Sequence, residues 1–440
     1  MIFRPTRRGL LALALCVSAA AGVAELAVWG RRLSARDPKL QGAGSPWLGV
    51  WRHGSQPWKG LVPAAILAVL LIWVWPLLCR GLGWRRLLVA SMLGTGIWMT
   101  SLASADGWSD VSQPLTTEAE YLAAVGDVGN AHDYVATFVD RLGTQPIHVQ
   151  GHPPGQVLVL WSLDRVGLPG AGWATAEVLW LGAAASPLVL ITIRSWAGES
   201  IARRAAVFVG LSPAVLTMAT SSDAAFTGVI VAAIAAAFAA ASAAQRGRTA
   251  RSVLAGGAAG VGVAAALYLS YGSPVFFGPL LLPGTQLLKR RQWRPVVAAA
   301  AAVLLVVAVM TVAGFWWFDG FAATRAAYFA GIASHRPYDY FVVANLGVLA
   351  VAVGPAVLAG MSALRDRRVW LLLGTVALGV IVADLSGFSK GEVERIWLPF
   401  VPWLVVAAAP LADTNRSARW WLSTQLLVAL AGQAFFRSPW

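Results

Sequence analysis

Carboxylates and imidazoles, the side chains best suited to proton transfer, are concentrated between residues 104 and 153. This stretch carries seven acidic residues against the single basic residue Arg141. A carboxylate near a membrane can act as a general base, because partial burial raises its pKa toward the working range. The stretch is also far longer than a simple connection requires, which is typical of functional loops. Its acidic residues are Asp106, Asp110, Glu118, Glu120, Asp127, Asp133 and Asp140.

The segment LTTEAEYLAAV within this stretch predicts a short helix capped by Thr116 or Thr117. Glu118 and Glu120 then project from the start of that helix, and together with Asp110 they are the candidate catalytic bases. Acidic side chains at a helix start also complement the helix dipole. The pattern therefore leaves a catalytic and a purely structural role open.

The stretch ends in HVQGHPPG, where two prolines and Gly155 predict a sharp turn into the next apolar segment. His148 and His152 precede that turn, and imidazoles at a membrane entrance can bind phosphate or shuttle a proton. Their i, i+4 spacing also fits a metal pair, but the prolines disfavour a helix there and no third ligand is apparent. The carboxylates of the stretch could hold a hard divalent cation, and nothing in the sequence requires one.

Cationic residues that suit a lipid-linked phosphate occur in two later segments. One is the aromatic GFWWFDGFAATRAAYFAGIASHRPYDYF, and the other is DLSGFSKGEVERIWLPFVPWL, which ends in a proline-containing apolar run. Charges so near hydrocarbon are costly and indicate function. Arg395 could instead pair with Glu392 at i, i+3 and extend to the headgroups. Asp223, in TSSDAAF, either caps a helix or belongs to the same site. The two segments contribute Arg325, His335, Arg336, Lys390, Glu394 and Arg395.

Transmembrane helices are the elements predicted to position these residues. Hydrophobic residues make up 58% of the 440 residues and charged residues 12%, and apolar runs of about 20 residues, enough to span a bilayer, recur throughout. The predicted fold class is therefore all-α, a polytopic bundle in which residues 1 to 440 form one integral membrane domain. The net charge of +14 indicates topology and not nucleic acid binding, since the cations lie in short clusters between apolar runs.

Thirteen spans account for the apolar runs, with the N-terminus in the cytoplasm. Seven basic clusters, holding 21 of the 34 Lys and Arg residues, then fall inside, and residues 104 to 153 fall outside. Residues 31 to 60 conflict with this pattern, because they are basic yet also fall outside. Residues 154 to 168 are placed as a helix in the outer leaflet. The predicted spans are 9 to 30, 60 to 79, 87 to 103, 173 to 193, 203 to 219, 226 to 244, 252 to 270, 274 to 288, 295 to 315, 341 to 363, 369 to 386, 396 to 411 and 421 to 436.

The first spans carry little further information about function. The N-terminal segment has the basic start and small residues of a signal peptide, and the role of residues 1 to 103 is open. Cys16 and Cys79 both lie within predicted spans. Neither a disulfide framework nor a cysteine zinc site is therefore predicted.

The order of these motifs resembles the GT-C superfamily of polyprenyl-phosphate-dependent glycosyltransferases, which includes protein O-mannosyltransferases and lipid A aminoarabinose transferase. TEAEY at residues 117 to 121 is similar to the acidic, Tyr-containing motif in the family's first large outer loop. GHPPGQVLVLW is similar to its Pro-containing entry into an aromatic helix. TSSDAAF, the Gly-rich GGAAGVGVAAALYLSYG and EVERIWLPFVPWL resemble its later motifs, so the resemblance extends from about Asp106 to Leu411.

The resemblance implies transfer of a hexosyl or pentosyl group from a polyprenyl-phosphate donor to a glycan, lipid or protein acceptor, on the outer face of the cell membrane. It favours Glu118 or Glu120 as the base, because Thr117 replaces the usual aspartate; Asp110 is the third candidate. The leaving phosphate is then held by cations. The residues implied in substrate or phosphate binding are Tyr121, His148, His152, Asp223, Arg325, His335, Arg336, Lys390, Glu394 and Arg395.

The chain departs from the family in two further respects. It carries two extra spans before the acidic stretch, and its Gly-rich span ends in Ser270 and Tyr271, where a lysine is often found. A multi-pass transporter or lipid flippase is the alternative function. That alternative predicts internal repeats and polar residues at mid-bilayer, whereas the ionisable residues here concentrate on one face.

Overall fold

The computed structural model describes residues 7 to 37, 40, 46 to 47, 49 to 52 and 57 to 438. Most of these residues are helical, as the long apolar runs predict. The short strands β1 (Val50–Trp51) and β2 (Phe436–Arg437) pair antiparallel. The α-helices are α1 (Arg7–Arg36), α2 (Trp58–Gly81), α3 (Trp84–Ala103), α4 (Ala131–Ala136), α5 (Ile147–Gln150), α6 (Gly155–Arg165), α7 (Ala171–Trp196), α8 (Glu199–Ala205), α9 (Val215–Met218), α10 (Ser222–Gln245), α11 (Thr249–Leu269), α12 (Leu281–Lys289), α13 (Arg294–Val312), α14 (Trp317–Ala330), α15 (Tyr338–Val353), α16 (Pro355–Ala363), α17 (Arg367–Leu385), α18 (Val393–Ile396), α19 (Val401–Leu404) and α20 (Asn415–Phe435).

The predicted all-α, polytopic fold is confirmed. By length and composition, nine helical segments of the described residues can cross a membrane, or ten if the bent pair α15 and α16 forms one span. The number of thirteen predicted spans is not confirmed. Of the remaining predicted spans, 203 to 219 and 274 to 288 are broken into short helices, and 421 to 436 lies in α20, which is less apolar.

Linkers predicted on the cytoplasmic side meet at one end of the bundle. They connect α2 to α3, α7 to α8, α16 to α17 and residue 412 to α20. Side chains at this end donate hydrogen bonds to carbonyl oxygens of neighbouring segments, and the carbonyls of Leu82 and Ala412, which follow or end a helix, gain partners in this way. These bonds are Arg203 Nη1 to Leu82 O (2.9 Å), Arg80 Nη2 to Ala412 O (2.7 Å) and Trp196 Nε1 to Arg368 O (2.8 Å).

The chain between α8 and α9 crosses the protein interior without forming one continuous helix. Gly210 adopts a left-handed conformation (φ 84°) and Pro213 follows it, so the backbone is interrupted twice. Arg203 of α8 lies at the linker end, whereas Thr217 of α9 donates to Glu394 O (2.6 Å) at the opposite end. Irregular backbone at membrane depth is tolerated where protein surrounds it, and this segment is buried.

Residues 104 to 153 fold at that opposite end as short helices. The predicted helix over LTTEAEYLAAV is wrong in detail, because it is divided into 3-10 helices Gln113–Thr116 and Tyr121–Asp127. Thr117 and Glu120 have extended backbone conformations (ψ 153° and 164°), which interrupt the helix. The turn between the two helices carries Glu118.

The turn after residue 152 leads into a short helix, as predicted. α6 has 11 residues and is not one of the apolar helices long enough to span a membrane. Its first residue, Gly155, lies so close to α11 that a Cβ atom there would approach Tyr268 O to 2.2 Å. Glycine is therefore required where the Pro-Pro turn meets the bundle.

The break between α15 and α16 depends on one side chain of α20. Gln425 Nε2 donates to Val353 O (2.8 Å), and its Oε1 accepts from the backbone N–H of Ala356 (3.2 Å). Between them, Gly354 has φ 82° and the two helices bend by 87°. Gln425 thus satisfies a donor and an acceptor that the bend leaves without helical partners.

We expect Gln425→Leu to lower the free energy of unfolding by about 1 to 3 kcal/mol for each buried group left without a partner. The measurement is thermal unfolding of the purified protein in detergent micelles. Ser423→Ala on the same helix is the control, since the bond that Ser423 forms among the described residues is to Trp420 O within α20. Equal unfolding temperatures for the two variants would contradict this role of Gln425.

Candidate active site

Arg395 lies at the centre of a buried polar network. Its Nη1 donates to Asp223 Oδ2 (2.7 Å), and its Nη2 donates to Glu392 Oε2 (2.8 Å). The same Nη2 lies 3.4 Å from His148 Nε2. The i, i+3 pair of Arg395 and Glu392, considered from the sequence as a structural alternative, is confirmed. Arg395 also contacts Asp223 and His148, which lie 172 and 247 residues away in the sequence. The structural alternative did not include these two contacts.

Glu120 supports this network through His148. The Oε1 atom of Glu120 lies 2.8 Å from His148 Nδ1. With its proton on Nδ1, His148 donates to Glu120 and leaves Nε2 to accept from Arg395, so we assign that tautomer. Glu120 is 6% exposed, and in the described part of the chain its Oε2 atom has no hydrogen-bond partner.

A small void adjoins Glu120. It measures about 10 Å³, roughly the space for one water molecule, and Glu177 and Ser222 also line it. Glu177 Oε2 accepts from Gln156 Nε2 at 3.3 Å. The void is too small for a sugar, so Glu120 has no access to a substrate through it.

Tyr121 and His152 pack beside the network. The ring of Tyr121 contacts His152 edge to face, with 5.6 Å between ring centroids, and also approaches His148 at 6.3 Å. His152 Nδ1 donates to His148 O at 2.8 Å. Burial lowers the pKa of His152 and raises the pKa of Tyr121, and both effects favour the neutral forms.

Glu392 connects Arg395 to a second arginine. Arg336 Nη1 and Nη2 donate to Glu392 Oε1 at 3.1 and 3.2 Å, and Arg336 Nη1 also donates to Lys390 O at 2.6 Å. Burial by itself raises the pKa of Glu392. The guanidinium groups of Arg395 and Arg336 lower this pKa by more than burial raises it, so the pKa lies below its ordinary value. Glu392 is therefore a carboxylate held between two cations.

Two further cations share one aromatic ring. Arg325 and Lys390 lie 5.8 and 5.9 Å from the ring centre of Phe329. Lys390 Nζ also donates to Ala333 O at 3.2 Å. Among the residues that the structure describes, neither cation forms an ion pair with a carboxylate. His335 lies apart from them and is exposed, with Nδ1 3.7 Å from Asp37 Oδ2.

A cavity of about 610 Å³ lies beside the network. Most of its wall is apolar, and its polar part includes Asp110, Thr217 and Glu394. Thr217 Oγ1 donates to the backbone oxygen of Glu394, so α9 holds Glu394 at the wall. The carboxylate of Asp110 has no cationic partner within the described ranges. This volume is in the range of ordinary small-molecule pockets.

An ion pair and an aromatic cluster close one side of the cavity. Arg52 Nη1 donates to Asp106 Oδ1 at 2.8 Å, and the second guanidinium nitrogen pairs with the other carboxylate oxygen. The rings of Trp51 and Phe436, from paired strands β1 and β2, meet at 5.2 Å. The basic stretch that conflicted with the predicted topology thus contributes Arg52 as a partner of the acidic loop.

The structure brings together some of the predicted site residues and separates others. Glu118 is exposed in its turn, and Arg325 and His335 are also exposed. The sequence did not predict the pairing of Arg52 with Asp106, nor the position of Thr217 at the cavity. The basic charge of residues 31 to 60, which the predicted topology did not explain, was a signal for Arg52. The hydrogen-bonded network contains Glu120, His148, Asp223, Arg336, Glu392 and Arg395, with Tyr121 and His152 packed against it; the cavity contains Asp110 and Glu394.

A metal site is not apparent in the described residues. No group of three or more His, Cys, Asp or Glu side chains converges there in a way that could hold a metal ion.

Comparison with known proteins gives few matches. No family model and no curated protein matches this chain. Two solved structures of ArnT from Cupriavidus metallidurans are similar: the apo state (19% identity, TM-score 0.44, 76% of this chain and 60% of that chain) and the form bound to undecaprenyl phosphate (17% identity, TM-score 0.41, 76% and 61%). The chain spans about three fifths of the length of these structures.

We expect Arg395→Met to destabilise the protein by about 3 to 5 kcal/mol, because it leaves Asp223 and Glu392 buried without their shared cation. Thermal unfolding in nanodiscs measures the effect. Arg204→Gln is the control, since Arg204 pairs with Asp413 where both side chains are well exposed, and such pairs contribute about 0 to 1 kcal/mol. Similar losses in both variants would argue against a central role for Arg395.

The lowered pKa of His152 predicts a pH dependence of stability. Unfolding restores an ordinary histidine pKa of about 6.5. Above that pH the imidazole is neutral in both states; as the pH falls below it, the unfolded state binds the proton first and stability decreases. His152→Gln should reduce the decrease between pH 6.5 and 5, whereas the exposed control His132→Gln should not. An unchanged decrease in His152→Gln would contradict the prediction.

Proposed function

We propose that this protein is a GT-C-type membrane glycosyltransferase that moves a sugar from a polyprenyl phosphate to an acceptor hydroxyl group. The observation that carries the proposal is the cavity of about 610 Å³ whose lining residues include Asp110 and Glu394. Glu394 directly precedes Arg395, the centre of the cationic network. A base for the acceptor and cations for a leaving phosphate are thus close together, and the transfer requires both.

Asp110 is our candidate for the general base. A base must come within hydrogen-bond distance of the hydroxyl group that it deprotonates. Asp110 lines the cavity, whereas Glu120 adjoins a void of about 10 Å³ and is bonded to His148. Glu118 lines neither space. The geometry therefore favours Asp110 over the two residues that the sequence motif favours.

The reaction follows from these positions. Asp110 accepts the proton of the acceptor hydroxyl group as that oxygen attacks the anomeric carbon of the donor sugar. The bond between this carbon and the phosphate oxygen breaks, and its electron pair leaves with the polyprenyl phosphate. The departing phosphate gains negative charge, which guanidinium and ammonium groups fixed in advance can stabilise. The cations assigned to this step are Arg395, Arg336, Lys390 and Arg325.

Glu120 and His148 act in this scheme as positioning residues. They hold the guanidinium group of Arg395 from one side while Asp223 holds it from the other. A fixed guanidinium group costs no reorganisation when charge develops on the phosphate. Tyr121 and His152 pack against His148 and keep its ring in place.

The donor that we propose is a sugar linked to a polyprenyl phosphate, since one of the similar structures binds undecaprenyl phosphate. The acceptor is a hydroxyl group of a glycan, lipid or protein of the cell envelope. We place the reaction on the outer face of the cell membrane, at the end of the bundle opposite the basic linkers. The transferred sugar is a hexose or a pentose.

The test uses the full chain in nanodiscs with a panel of radiolabelled polyprenyl-phosphate sugars, with and without membrane-extract acceptors. Release of polyprenyl phosphate is measured. We expect Asp110→Asn to reduce the rate by about 10²- to 10⁴-fold, the usual contribution of a general base. Glu118→Gln is the matched control and should retain the wild-type rate, because that side chain is exposed.

Glu120→Gln separates the two carboxylate roles. Its amide oxygen can still accept the hydrogen bond from His148, so we expect this variant to keep most of the wild-type rate. Loss of activity in folded Glu120→Gln, with Asp110→Asn still active, would make Glu120 the base. Absence of release from every donor with folded wild-type protein would overturn the proposed function.

A further inference from the structure

Glu392 has an unusual backbone conformation. Its φ angle is 62°, and in the described part of the chain Arg291 is the one other non-glycine residue with positive φ. This left-handed conformation is unfavourable for residues with a Cβ atom and persists where the surrounding structure holds it. It often marks functional sites, which raises the question of what holds Glu392 and why.

Two arginines hold Glu392 through separate oxygen atoms. Oε1 accepts from Arg336 Nη1 and Nη2, and Oε2 accepts from Arg395 Nη2. One anionic group therefore bridges two guanidinium groups. A phosphate group has the same properties, since it carries negative charge on several oxygens and binds guanidinium groups in pairs of hydrogen bonds.

The carboxylate is the most accessible member of the trio. The side chain of Glu392 is 19% exposed, whereas those of Arg336 and Arg395 are 6% and 7% exposed. An anion that approaches from the surrounding space therefore meets Glu392 before it can reach either arginine. Movement of Glu392 away would open both guanidinium groups to that anion.

The arginines keep other partners when Glu392 leaves. Arg395 remains bonded to Asp223, and Arg336 remains bonded to the backbone oxygen of Lys390. Glu392 follows Gly391, which has φ 90°. A glycine can change φ and ψ at little steric cost, so this segment can move while the two cations stay in place.

We propose that the carboxylate of Glu392 occupies the phosphate position of the empty enzyme and that the phosphate of the polyprenyl donor displaces it. This inference rests on the proposed function. Glu392 competes with the phosphate for Arg336 and Arg395, so it weakens the binding of both donor and released polyprenyl phosphate. After transfer, its return to the two arginines expels the product and promotes turnover.

The test measures binding of undecaprenyl phosphate to the full chain in nanodiscs. Glu392→Gln removes the charge, and Glu392→Gly removes the side chain while tolerating the left-handed backbone. Both variants should bind undecaprenyl phosphate about tenfold more tightly, as expected if the wild-type site is open about a tenth of the time. Product inhibition should strengthen by the same factor. Asp413→Asn, which removes a charge at the opposite end, is the control and should bind as wild type does.

The outcomes separate this inference from the proposed function. A carboxylate that only stabilises the two arginines would make both variants bind more weakly. Equal or weaker binding by both folded variants, with wild type releasing polyprenyl phosphate from a sugar donor, would overturn the role of Glu392 alone. Wild-type protein that neither binds undecaprenyl phosphate nor releases it from any donor would overturn the proposed function and the inference together.

Discussion

One buried guanidinium group determines how the site is assembled. Arg395 lies between the carboxylates of Asp223 and Glu392 and contacts the imidazole of His148. A charge in a low-dielectric interior is tolerated only where its partners are correctly placed, because an unpaired ion costs several kcal/mol. The acidic loop, the start of α10 and the segment before α18 must therefore meet at Arg395, although they are far apart in the sequence. Their relative positions depend on this network.

The membrane imposes the second constraint, since every backbone polar group inside it needs a partner from the protein. Most of the chain meets this requirement with continuous helices. Where the backbone is irregular, as between α8 and α9, the segment is enclosed by other helices. Where α15 and α16 bend, the side chain of Gln425 supplies the missing hydrogen bonds. These interruptions lie near the site and bring Thr217 to the cavity wall.

Charged residues of the site fall in two regions, although carboxylates and guanidinium groups alternate within the network itself. Asp110 and Glu394 line the cavity together with the ion pair of Arg52 and Asp106. Cations lie behind Glu392 or on the ring of Phe329, where a phosphate can reach them. In the proposed reaction the acceptor hydroxyl group occupies the cavity, and the donor phosphate binds the cations. The segment from Lys390 to Arg395 connects the two regions.

Composition and the length of the apolar runs were sufficient to predict an all-α membrane fold, because hydrocarbon requires helices of a set length. The cost of charge near hydrocarbon likewise singled out Arg395 as a candidate residue, and the structure shows it buried and paired with two carboxylates. Only the tertiary structure decided that Glu120 meets His148 while Asp110 faces the cavity. Spacing along a helix fixes which way neighbouring side chains point, but the turn around Glu118 is not helical, and packing alone determines what lies opposite each of them.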